Sequence, residues 1–119
     1  MLIKKTSFFL ALLSIVTSTA LCQQAVPPSP EAEQIKQANI CYNNKEYPKA
    51  ISIYQEVTAK NPDNAFVALA HYKCAKTFET MGNHDEAISE CSKAIAIYPL
   101  INKGLAYPLR AFIYEKTGK

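Results

Sequence analysis

One register runs through this chain at a spacing of 36 to 37 residues, and it restricts the fold more than any other feature. Ala50 recurs as Ala87 and Pro62 as Pro99, in both cases 37 residues later. Ala38, Ala75 and Ala111 follow at separations of 37 and 36, and three residues beyond them stand Cys41, Phe78 and Tyr114. Gly82 and Gly118 repeat at 36, as do His71 and Tyr107. Such a recurrence marks a stacked unit, each copy covering an apolar face that its neighbour cannot bury alone. No alternating apolar run is long enough for a strand.

Tyr47-Pro48-Lys49-Ala50-Ile51 closing at Asn61-Pro62, and His84-Asp85-Glu86-Ala87-Ile88 closing at Tyr98-Pro99, resemble the tetratricopeptide repeat, a helix–turn–helix unit of about 34 residues. The resemblance covers residues 31–119. It implies an all-α fold of antiparallel helix–turn–helix repeats, about two and a half units in a right-handed superhelical stack. The units are expected at 31–64, 68–101 and, in part, 104–119, with helices near 31–44, 46–60, 64–81, 85–97 and 104–117. Two departures stand out. Lys45 replaces the glycine found at Gly82, and the period exceeds the family's by two or three residues. The excess falls in Asp63-Asn64-Ala65 and Ile101-Asn102-Lys103, where it is expected to lengthen the start of the next helix. The longer period and Tyr98-Pro99 are similar to the subtype of exported bacterial proteins.

The first residues support export. Met1 to Lys5 carries two lysines and no acid, Thr6 to Leu21 is apolar or small, and charge returns only at Glu31. A basic start and a short apolar stretch ending in small residues describe a secretory signal over residues 1–22. Cleavage sites fit after Ser18-Thr19-Ala20 and after Ala20-Leu21-Cys22. A retained anchor is the competing reading, disfavoured by the short apolar core and the lack of stop-transfer charges. Cys22 stands where a lipoprotein signal places its lipidated cysteine, although Leu21 is bulkier than the small residue usual before it. Residues 23–30, Gln-Gln-Ala-Val-Pro-Pro-Ser-Pro, read as a proline-rich tether, because three prolines favour extended chain. Ser29 can cap the first helix, and Pro30 suits its first turn. The expected location is periplasmic or secreted, with membrane attachment only through Cys22 or an uncleaved signal.

Charge and chemistry narrow the function. Without residues 1–22 the basic residues fall from 13 to 11 against 10 acids, and this near-neutral balance offers no footprint for nucleic acid. The chain has three glycines and no phosphate loop, nucleophile elbow or paired carboxylates, so neither a catalytic residue nor a cofactor is assigned. The rival readings are a small exported metal protein or enzyme using His71, Cys74, His84 and Cys91, and a fragment of a longer repeat array. Packing explains the same residues: His71 matches Tyr107, His84 matches Tyr47, and Cys91 matches Tyr54 on a helical apolar stripe. Cys41, Cys74 and Cys91 are expected as buried thiols, with a Cys41–Cys74 or Cys74–Cys91 bridge left open.

The resemblance further implies a concave groove, lined by the first helix of each repeat, that holds a peptide or helix of another protein. It places Ile35, Asn39, Tyr42 and Asn43 there from the first repeat, Leu69, Tyr72, Lys76 and Glu79 from the second, and Phe112 and Glu115 from the third. Ile35 stands where the family's carboxylate clamp has a lysine. In the last helix, Tyr107, Ala111 and Tyr114 are expected to cover the second repeat, leaving Leu105, Leu109, Phe112 and Ile113 for another surface: a second copy, with self-association expected, the target protein, or further repeats. N-terminal sequencing of the exported protein is expected to begin between Leu21 and Gln23. Recovery of intact Met1 would exclude cleavage, and detergent partitioning unchanged by Cys22→Ala would exclude lipidation.

Overall fold

The helical part begins with the expected cap. In the computed structural model, which describes residues 27–60 and 64–119, the Ser29 hydroxyl accepts a hydrogen bond from the Ala32 N–H at 3.2 Å. The signal with Cys22, the start of the tether, and Pro62 lie outside the described residues. Helix α1 runs Pro30–Asn43, with Pro30 where no N–H is needed and Glu31 and Glu33 at the positive end of the dipole. Helix α2 is Tyr47–Thr58 and α3 is Ala65–Thr80, the latter capped by Asn64, whose side chain accepts from the Phe66 N–H at 2.9 Å. Helix α4, His84–Ile97, stops before Tyr98-Pro99, where the residue preceding proline leaves the helical region. A 3-10 turn, Ile101–Gly104, then leads to α5, Ala106–Thr117.

The architecture is all-α among the described residues. Each helix packs on its neighbour in sequence, and α1 also touches α3 as α3 touches α5. Four alanines of the register, Ala38, Ala50, Ala75 and Ala87, are wholly buried. Without a longer side chain between them, helix axes can approach closely. One core cluster joins Ile35, Ala38 and Cys41 of α1 to Ala50, Ile51, Tyr54 and Val57 of α2 and to Ala70 and Cys74 of α3. A second joins Ala75 of α3 to Cys91, Ala94 and Ile95 of α4 and Ala106 of α5. Helix α3 therefore contributes to both. Among the described residues, Cys41, Cys74 and Cys91 are free and buried.

The register also governs the turns. Lys45, Gly82 and Gly118 have φ of 64°, 85° and 71°, all left-handed. In each case the following N–H reaches back five residues: Glu46 to the Cys41 carbonyl, Asn83 to Phe78 and Lys119 to Tyr114, at 2.9, 2.9 and 3.1 Å. This is the hydrogen bond of a Schellman helix end, which satisfies carbonyls that the last turn would leave orphaned. Lys45 thus departs from the glycine in side chain alone, keeping the backbone shape.

Two expectations need correction. Ile101-Asn102-Lys103 does not lengthen the start of α5. The Asn102 amide is buried and donates to the Ala94 and Tyr98 carbonyls, both at 2.8 Å, so the insert closes the end of α4 as a separate 3-10 turn. At the equivalent junction Asn64 caps α3 from outside the helix. The covering face of α5 is also different. Ala106 and Ile113 are buried and Leu109 packs on the second cluster, whereas Tyr107, Ala111 and Tyr114 are exposed. Side chains at 106, 109 and 113 point to one side of a helix, and those at 107, 111 and 114 lie beside it.

A left-handed backbone costs an L-residue about 1–2 kcal/mol, against about 0.5–1 kcal/mol of unfolded-state entropy that glycine adds. Lys45→Gly is therefore expected to stabilise by about 0.5–1 kcal/mol and Gly82→Ala to destabilise by about 1 kcal/mol. Urea denaturation of both variants checks the sign.

Candidate binding groove

The residues assigned to a groove separate into several groups. Asn39, Tyr42 and Asn43 of α1 meet Lys76 of α3 around a cavity of about 220 Å³, completed by Tyr54 of α2 and Lys73 of α3. Helical spacing explains the assembly. Residues 39, 42 and 43 share one face of α1, and residues 73 and 76 share one face of α3.

The cavity is ordered by polar contacts. The Tyr54 hydroxyl donates to Asn39 Oδ1, which fixes the amide from below. The Tyr42 hydroxyl is 3.0 Å from Thr80 Oγ1 and its ring meets Tyr47 edge-on at 5.5 Å, so Tyr42 is held at both ends. The Lys76 ammonium lies 5.9 Å from the centre of the Tyr42 ring, an attraction between a cation and the negative aromatic face. Burial, and then the neighbouring positive charge of Lys76, lower the pKa of Lys73. Burial pushes the Tyr54 phenol up to about 12, so it remains a hydrogen-bond donor at neutral pH. No carboxylate lies within salt-bridge distance of either lysine among the described residues.

The other assigned residues lie elsewhere. Ile35 is a core residue, 5% exposed, packed in the first cluster. Leu69 lines a separate apolar cavity with Ala65, Phe66, Ala68, Asn102 and Leu105. Tyr72 packs against the second core cluster and serves the α3–α4–α5 contact. Glu79 pairs with Lys116 at 3.2 Å, and Lys116 lies 5.7 Å over the ring of Phe112, which is half exposed. Glu115 is exposed. Sequence reasoning missed Lys73 and Tyr54. Lys73 could have been found from its three-residue spacing to Lys76, while Tyr54 was absorbed by the apolar stripe because only its hydroxyl reaches the cavity.

The four soft-ligand candidates do not converge. Among the described residues no group of three or more His, Cys, Asp or Glu side chains could hold a metal ion. His71 Nδ1 is 2.6 Å from Glu90 Oε2, and Lys93 donates to the other carboxylate oxygen at 2.8 Å, forming a polar bridge between α3 and α4. Cys74 lies in the first cluster and Cys91 in the second, and burial is the first cause of thiol pKa values pushed up to about 12 and about 11. Such thiols are poor nucleophiles and poor metal ligands. No helix among the described residues is long and apolar enough to cross a membrane. No protein-family model matches the chain, and no curated protein matches it.

Burial alone would raise the Glu90 pKa, but hydrogen bonds from His71 and Lys93 outweigh it and hold the carboxyl below its ordinary 4.5. A carboxyl lowered by folding stabilises the protein above its unfolded pKa, and that contribution is lost as pH falls through the folded value. Glu90→Gln is expected to destabilise by about 1–3 kcal/mol at neutral pH, and to flatten the loss of stability below pH 4.5. Chemical denaturation at stepped pH measures both effects.

Proposed function

We propose that this chain is a non-catalytic binding module of the tetratricopeptide type, exported from the cell, which holds an extended acidic segment of another protein against α1 and α3. The observation that carries this reading is the cavity in which Lys73 and Lys76 converge without a carboxylate partner among the described residues. Two like charges at a partly buried site raise each other's free energy, and a bound anion relieves that repulsion. Asn39 and Asn43 add amide groups able to donate to a carboxylate or pair with a peptide backbone, and Tyr42 offers an aromatic surface. A side-chain or C-terminal carboxylate fits a cavity of about 220 Å³, with the rest of the segment running along the helices. Export rests on the basic and apolar start of the sequence, and the repeat type on the 36–37 residue register with its three left-handed turns.

A fluorescein-labelled oligoglutamate peptide with a free C-terminus provides the test by anisotropy. The double variant Lys73→Gln/Lys76→Gln is expected to weaken binding about tenfold or more, corresponding to about 1.4 kcal/mol per decade. Added salt should weaken binding to the native chain far more than to the variant. Equal binding by both proteins, or no binding at low salt, would remove the anionic ligand from this reading.

A further inference from the structure

The internal register identifies what one exposed flank of α5 is built to contact. Ala38 packs in a cluster with Ala50 of α2, and Ala75 packs with Cys91 and Ala94 of α4. Each of these alanines on a first helix is wholly buried under the helix that follows. Ala111 is the same position on α5, and it is exposed. Tyr107 and Tyr114 flank it on one stripe and are 39% and 37% exposed. The equivalent of Tyr107 on α3 is His71, which bonds to Glu90 of α4. The flank therefore has the small centre and bulky edges that elsewhere in this protein receive a helix.

We propose that a second copy of this chain covers the flank, the two α5 helices crossing antiparallel about a twofold axis near Ala111. The stripe is self-complementary about that residue. Tyr107 lies four residues before Ala111 and Glu115 four residues after it. The Arg110 guanidinium donates to Ser92 Oγ of α4 at 3.1 Å and lies 5.4 Å from the centre of the Tyr107 ring, so its remaining N–H groups and the Tyr107 hydroxyl put positive charge and a donor toward one end of the stripe. Glu115 is exposed and has no ion-pair partner among the described residues. An antiparallel pair sets Glu115 of each copy opposite Tyr107 and Arg110 of the other, twice over. A parallel pair would instead set like charges together. Antiparallel helix dipoles also attract, and alanine at the crossing lets the axes approach as closely as 8–10 Å. A contact that repeats itself in this way closes as a dimer without leaving a free surface to propagate. Phe112 and Lys116 lie on the other flank of α5, beside Glu79, so the α1–α3 cavity remains open in the dimer.

Sedimentation equilibrium of the purified full chain over a wide concentration range tests this. A monomer–dimer equilibrium is expected. Ala111→Glu should raise its dissociation constant at least about tenfold while the circular dichroism spectrum is unchanged, because the glutamate is exposed in the monomer and like charges meet in the dimer. Phe112→Glu, on the opposite flank, should leave the constant unaltered. Ala111→Cys should oxidise to a covalent dimer much faster than Phe112→Cys. A monomer at every concentration overturns the proposal, as does a dimer indifferent to Ala111→Glu or equally sensitive to Phe112→Glu. Should Ala111→Glu lose helicity, crosslinking decides: rapid covalent dimer at position 111 supports the interface, and equal rates at 111 and 112 refute it.

Discussion

Close approach of helices at alanine is the constraint on which the rest of this structure depends. Ala38, Ala50, Ala75 and Ala87 are each fully buried, and a side chain of any length at these points would hold neighbouring helices apart. Once the axes are close, Tyr54, Val57, Cys91 and Ala94 on the second helices fall into contact with the first helices beside them, and the apolar stripe closes into two clusters. Helix α3 is shared between these clusters, so the two helical pairs form one body. The left-handed turns at Lys45 and Gly82 have the complementary task of reversing the chain in few enough residues that consecutive helices begin already in contact.

The same close packing dictates the polar chemistry. A carboxylate drawn between two helices must find donors or change protonation, and Glu90 finds them in His71 and Lys93. Thr77, also buried, returns its hydroxyl to the Lys73 carbonyl one turn back, and Asn102 spends its amide on the end of α4. Lysines 73 and 76 are the contrast. They line the cavity beside Tyr42, Tyr54, Asn39 and Asn43, with no carboxylate within salt-bridge distance among the described residues.

The periodic sequence carries much of this information locally. Helix positions, the Ser29 cap, the stop before Pro99 and the buried alanines all follow from backbone sterics and helical spacing, which act over a few residues. So do four of the six residues that line the cavity, since Asn39, Tyr42, Asn43 and Lys76 lie on the outward side of first helices. Ile35 lies in the first cluster and Tyr72 against the second for a different reason. A residue on the border between an inward and an outward stripe is assigned by the angle at which the next helix crosses, and a repeat pattern leaves that angle undefined. Leu69 packs against the first cluster and shares an apolar cavity with Leu105.

What the sequence determined by itself was therefore the all-helical class and the register that brings Gly82 back as Gly118, because each rests on short-range geometry. What only the tertiary structure decided was how that geometry was used. Lys45 adopts the left-handed conformation of Gly82 where α1 ends, and the Glu46 N–H closes that end on the Cys41 carbonyl while α1 and α2 pack on each other. The three residues at Ile101-Asn102-Lys103 become a separate turn because Asn102 reaches two carbonyls eight and four residues behind it. On α5 it is Ile113 rather than Tyr114 that is buried. These outcomes depend on contacts between elements distant in the chain, whose free energies exceed the local preferences that sequence patterns record.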